Sequence, residues 1–259
     1  MASEKQRPNF TNCDFTQQVT IKVGSEAAPV SVYEDFICYH SKFFRNAFKG
    51  PWKEGGEQAI TVADTNLNVF SAFVAWLYTG EIPPAFGIDW EADEDIIDSD
   101  DLSNDGYDPD KADEEVQELR RTNNRRYNGL LQLYVFGDRY DIPSLRTDVM
   151  KAWHRQQDKV LFPAHFGILR DVYALLPKTA VLRKSVAQDL ALLWTGHVSK
   201  KEVALLRQCP VFAADVALAM AKRLWRVDQR QYSNWQKSRC QFHDHPSDKE
   251  RMQCEMNKE

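Results

Sequence analysis

The sequence predicts an α+β fold: a small sheet flanked by helices, followed by an all-helical extension. Three observations carry this reading. Period-two apolar segments are confined to the first quarter of the chain. Stripes of period 3.6 follow them and continue to residue 225, and the turn and stop residues fall between these segments where each element should end.

The elements come in order. "VTIKV", Val19 to Val23, alternates apolar and polar residues, Gly24 and Ser25 form a turn, and "APVSVY" supplies a second strand ending at Val30 to Tyr33. "EDFICYHSKFFRNAFKG" follows, with Phe36, Ile37, Phe43, Phe44, Ala47 and Phe48 at helical intervals; Ser41 is placed to cap a second short helix and Gly50 to stop it. "EQAITVAD" adds a third strand, Ile60 to Ala63. In "NLNVFSAFVAWLYTGEI", Phe70, Phe73, Val74, Leu77 and Tyr78 form the stripe of a helix that buries one face, with Gly80 as its stop. The apolar period resumes in "YNGLLQLYVFGDRYDIPSLRTDVMKAWHRQQ", where Pro143 ends one helix and opens the next. "HFGILRDVYALLP", "TAVLRKSVAQDLALLW", "KKEVALLRQC" and "PVFAADVALAMAKRLW" are four further amphipathic helices.

Charge is segregated along the chain. Residues 83 to 118 hold fifteen Asp and Glu against the single Lys111, a local balance of -14 in a chain of net -5, which leaves the remainder at +9. Pro83, Pro84 and few apolar residues accompany the block, so it cannot bury enough surface to offset its ordering entropy and reads as a disordered, solvated insertion. The start has no signal-peptide run and no stretch is long and apolar enough to span a bilayer, which places the chain in the cytosol or nucleus. Five dispersed cysteines, Cys13, Cys38, Cys209, Cys240 and Cys254, fit reduced thiols and not a disulfide framework.

The order of these elements and the residues that carry them resemble a BTB/POZ domain, in particular those of filamentous-fungal BTB proteins. "VTIKVG" resembles the first strand. "SVYEDFICYHSKFFRNAFKGPWKEG" resembles the helical hairpin, with Ser41, Phe43, Phe44 and Glu54 on its pattern, and "ITVADTNLNVFSAFVAWLYTGEI" and "LYVFGDRYDIPSLRTDVM" resemble two later blocks. The resemblance implies a BTB/POZ domain over residues 15–155, interrupted at 83–118, then a helical extension over 156–227 and a polar Cys/His tail over 228–259. It also implies protein binding, as an adaptor or scaffold, including one for a cullin-type ubiquitin ligase that would use the domain face and a following helical pair. Self-association through the helix around Phe36 and Phe43 is the other partner implied. Where the dimeric transcription-factor branch builds a charged pocket this chain has Gln18 and Glu34, and Tyr33 stands where the family has His. Phe36, Phe43, Phe44 and Phe48 are the candidates for partner binding or for the core, two roles that periodicity alone does not separate.

Other motifs are weighed on their own chemistry. "CQFHDH" and a later cysteine place Cys240, His243, His245 and Cys254 in a C-x2-H-x-H-x8-C spacing, a ligand set for a structural zinc; the competing reading is a polar tail in which four such residues fall close together. "DLSNDGYDPDKADE" starts like a calcium loop but has Ala112 where a bidentate Glu is required. "KRLWRVDQRQYSNWQKSRC" interleaves basic and aromatic residues, which supports either a terminal helix with a basic outer face or, as the alternative function, a nuclear regulator that contacts nucleic acid. "LRRTNNRRY" reads as a solvated helix start or as a nuclear localisation signal. No nucleotide-binding glycine motif, zinc-protease motif or nucleophile elbow is present, and His40, His154, His165 and His197 are single histidines without a recognisable catalytic partner. Catalysis and an organic cofactor are therefore not expected.

Overall fold

A computed structural model of the chain describes residues 8, 13–51, 53–89, 114–159, 164–193, 200–225, 247 and 249–250. The chain divides into two compact units, Met1–Phe86 with Gly129–Ala152, and Gly87–Asn128 with Trp153–Glu259.

The first unit is built on a three-stranded sheet of order β2-β1-β3. β1 (Gln18–Val23) pairs antiparallel with β2 (Ala28–Tyr33), Ile21 opposite Val30, and parallel with β3 (Ala59–Val62), Ile21 opposite Ile60. The period-two pattern does the expected work, since Val19, Ile21 and Val23 are buried while Gln18 and Lys22 face out. Gly24 turns the hairpin with a φ of 73°, a left-handed conformation that costs glycine nothing.

α1 (Glu34–His40) and α2 (Lys42–Lys49) meet at Ser41. Ser41 ends one helix through its backbone N–H, which donates to Ile37, and caps the next through its Oγ, which accepts from Phe44 N at 3.0 Å. Arg45 then reaches back to the carbonyls of Cys38 and Tyr39, at 2.7 and 2.9 Å, and satisfies acceptors that α1 leaves open. Gly50 closes α2 in an extended conformation, so its role there is not the left-handed cap. α3 (Lys53–Glu57), a single short turn with no apolar stripe, has no counterpart in the sequence reading.

α4 (Leu67–Thr79) is capped by Asn66 and stopped by Gly80 at φ 79°. It buries one face, rotated from the stripe expected of it. Val69, Ala72 and Trp76 are buried together with Phe70, Phe73 and Leu77, whereas Val74 and Tyr78 are half-buried. The indole of Trp76 donates to Asp148 Oδ2 at 3.0 Å. The last residues of α5 (Glu114–Arg139) and the first of α6 (Pro143–Lys159) complete the core of this unit with Leu130, Leu133, Phe136, Ile142, Leu145 and Val149.

In the second unit the first half of α5 holds residues 87–89 along its side. Ile88 N donates to the Arg125 carbonyl at 3.0 Å, and Asn128 donates to the carbonyls of Ile88 and Asp89. A Cβ on Gly87 would lie 3.0 Å from that Arg125 carbonyl oxygen, a tight contact that favours glycine here. The ends of the acidic stretch, 83–89 and 114–118, thus belong to described structure, and α5 starts thirteen residues before the apolar period that announces it. Residues 90–113 lie outside the described residues. α7 (Phe166–Leu175), α8 (Val181–Leu193), α9 (Lys200–Gln208) and α10 (Pro210–Trp225) are the four helices expected. His165 caps α7 by accepting from Gly167 N at 3.1 Å. The Arg183 guanidinium lies 4.1 Å over the Tyr173 ring and donates to the Leu176 carbonyl, while the Tyr173 hydroxyl donates to Asp215 Oδ2 at 2.8 Å. Among the described residues no helix is long and apolar enough to cross a membrane.

Candidate interaction surface

The four phenylalanines singled out from the sequence separate cleanly. Phe36, Phe44 and Phe48 are buried in the first unit, whereas Phe43 is 40% exposed. One residue along a helix is a rotation of about 100°, enough to turn Phe44 inward and leave its neighbour on the rim. Phe43 does not hang free: its ring packs edge-on against Phe44 and Tyr140, with centroids 5.2 Å away in both cases.

Tyr140 is what gives the site a floor. It stacks on Phe44 at 5.3 Å and meets Phe136 at 4.7 Å, and Phe136 in turn meets Phe73 at 4.8 Å. A continuous aromatic line therefore runs from the middle of the core to the exposed ring. The Tyr140 hydroxyl donates to Asp64 Oδ1 at 3.0 Å, and Arg139 pairs with the other oxygen of the same carboxylate. Burial pushes the Tyr140 phenol up, a Thr65 hydrogen bond opposes this and Asp64 adds to it, so the hydroxyl stays protonated and keeps donating. The Tyr140 carbonyl accepts from Ser41 Oγ at 2.6 Å, which ties the floor to the start of α2.

This arrangement presents an apolar ring, with Lys42 and Asn46 of the same helix also exposed, on a base held by aromatic packing and hydrogen bonds. Such a feature offers apolar surface that a partner could bury. Tyr140, Asp64 and Arg139 were not among the residues picked out from sequence. They lie far from Phe43 along the chain, and only the phase of the apolar stripe in "YVFGDRY" hinted that Tyr140 turns inward.

The other candidates fall elsewhere. Glu34, one position of the family's charged dimer pocket, forms an ion pair with Lys49 at 3.4 Å, and Tyr33, where the family has His, packs against Phe15 and Tyr78. His40 bonds Ser144, His154 bonds Ser185, and His165 caps a helix. "LRRTNNRRY" lies inside α5, with Asn123 and Tyr127 buried and Arg121 and Arg125 exposed. Cys240, His243, His245 and Cys254, His197, the calcium-like loop and residues 226–239 of the basic and aromatic segment lie outside the described residues. Among the described residues no group of three His, Cys, Asp or Glu is arranged to hold a metal ion.

A family comparison agrees with the order of strands and helices: the model of the BTB/POZ domain matches residues 7–101. The chain carries a BTB/POZ domain. The sheet, the α1–α2 pair and α4 are its parts, and the helical region follows it. No curated protein matches the chain. The BTB/POZ domain is a protein–protein interaction module whose members also self-associate, which supports a protein-binding role for this part of the chain.

Proposed function

We propose that the chain is an adaptor or scaffold that recruits a protein partner to a cullin-type ubiquitin ligase, with Phe43 as the anchor of the cullin-binding face. The observation that carries the reading is the half-exposed Phe43 ring on a buried aromatic floor, within a domain family whose work is protein binding. The helical region after the domain, α7 to α10, supports it, because an adaptor needs surface for a second partner.

The test is binding of purified full-length chain to cullin amino-terminal regions, measured for the wild type and for Phe43→Asp. Phe43 is the second residue of α2, where an acidic side chain suits the positive end of the helix, so this substitution removes the apolar contact without opposing the helix. Wild-type binding that is lost in a folded Phe43→Asp protein supports the reading. Failure of the wild type to bind any cullin of its own cell refutes it.

A further inference from the structure

The second unit buries a chain of polar side chains that connects two helices. His154 on α6 is 3% exposed, and Ser185 and Asp189 on α8 are 0% and 4% exposed. Ser185 and Asp189 are four residues apart, hence on one face of α8. His154 Nε2 lies 3.0 Å from Ser185 Oγ, and Ser185 Oγ lies 3.1 Å from Asp189 Oδ2. Gln157, one helical turn beyond His154, donates to that same Oδ2 at 2.8 Å.

The number of protons sets the direction of these bonds. A serine hydroxyl carries one proton, and an ionised carboxylate can only accept. With Asp189 ionised, the Ser185 proton is committed to it, so Ser185 Oγ meets His154 as an acceptor. The imidazole must then present an N–H at Nε2. We propose that His154, Ser185 and Asp189 form a two-state hydrogen-bond relay in which the acceptor at position 189 on α8 dictates the tautomer of His154 on α6. Taking the acceptor away frees the Ser185 proton, which turns to His154 Nε2; the histidine then loses its Nε2 proton to water and gains one at Nδ1. The His154–Ser185 bond reverses direction, and α6 and α8 stay joined through it.

Nitrogen NMR of the full-length labelled chain, with the His154 signal assigned by its loss in His154→Gln, reads the tautomer directly. The expected pattern is Nε2–H in the wild type, Nδ1–H in Asp189→Ala, and Nε2–H again in Asp189→Asn, which restores an acceptor oxygen. A role in packing alone would leave the tautomer the same in all three. An Nδ1–H pattern in the wild type overturns the relay, as does a folded Asp189→Ala protein that keeps Nε2–H. The wild-type spectrum and the Asn variant decide the matter even where the Ala variant fails to fold.

Discussion

Ser41→Ala tests the joint on which the interaction surface rests. Ser41 is wholly buried and its hydroxyl serves twice, accepting from Phe44 N at 3.0 Å and donating to the Tyr140 carbonyl at 2.6 Å. Loss of a helix cap of this kind costs about 1 kcal/mol. A buried carbonyl deprived of its donor adds about 1–3 kcal/mol. The sum is about 2–4 kcal/mol, applied where α2 and the floor under Phe43 meet. Because the chain has two units, a single global unfolding energy is poorly defined, and the change is best read locally. Amide hydrogen exchange over residues 34–50, followed by mass spectrometry, should lose roughly 30- to 700-fold in protection, with each factor of ten worth about 1.4 kcal/mol. Ser41→Thr, which keeps the hydroxyl, should lose much less. A change below about threefold in the Ala variant would show that neither hydrogen bond matters and would refute the reasoning.

Further outcomes follow from particular residues. Cys38 is buried, and burial foremost, with Glu34 adding to it against Lys49 and Arg45, pushes its thiol up from 9.0 to about 12. The unfolded chain releases this proton above pH 9.0 and the folded chain does not, so stability should fall between pH 9.0 and about 12 and fall less in Cys38→Ala, as urea midpoints across that range would report. Gly80→Ala places a Cβ at φ 79° and should cost about 1–2 kcal/mol in urea denaturation, with an unchanged value marking the left-handed turn as unimportant. Metal analysis of protein purified without chelator decides between the two readings of Cys240, His243, His245 and Cys254: one zinc per chain, absent from Cys240→Ser, marks a ligand set, and metal-free wild type marks a polar tail.

Much of the fold was legible because local rules and tertiary packing agree in it. Val19, Ile21 and Val23 alternate on the face that the core buries, and Ser41, Pro143 and Gly80 stand where helices begin or end. Periodicity was ambiguous where apolar residues are too many to fix one phase. α4 offers two overlapping stripes, and the buried face is the one that runs through Val69, Phe73 and Trp76, where Asp148 accepts the indole N–H, and not the one that ends on Val74 and Tyr78. The start of α5 was hidden for the opposite reason: residues 114–126 are mostly charged or polar, so the helix has no apolar stripe there to announce it. The candidate surface was half legible. A helical stripe names Phe43 and Phe44 together, and only the structure separates the ring that fills the core from the ring that leaves it. Tyr140, Asp64 and Arg139 were beyond reach because their part depends on contacts across a long stretch of chain.

The most direct measurement of the central claim is the affinity of the full-length chain for a cullin amino-terminal region, taken for wild type, Phe43→Asp and Phe44→Leu. Phe43 is on the rim and Phe44 inside, so the account predicts that Phe43→Asp loses binding at unchanged fold. Phe44→Leu should cost stability first and keep the affinity of whatever fraction stays folded. Binding that survives Phe43→Asp would contradict the placement of the surface, and a wild-type chain that binds no cullin would contradict the proposed function itself.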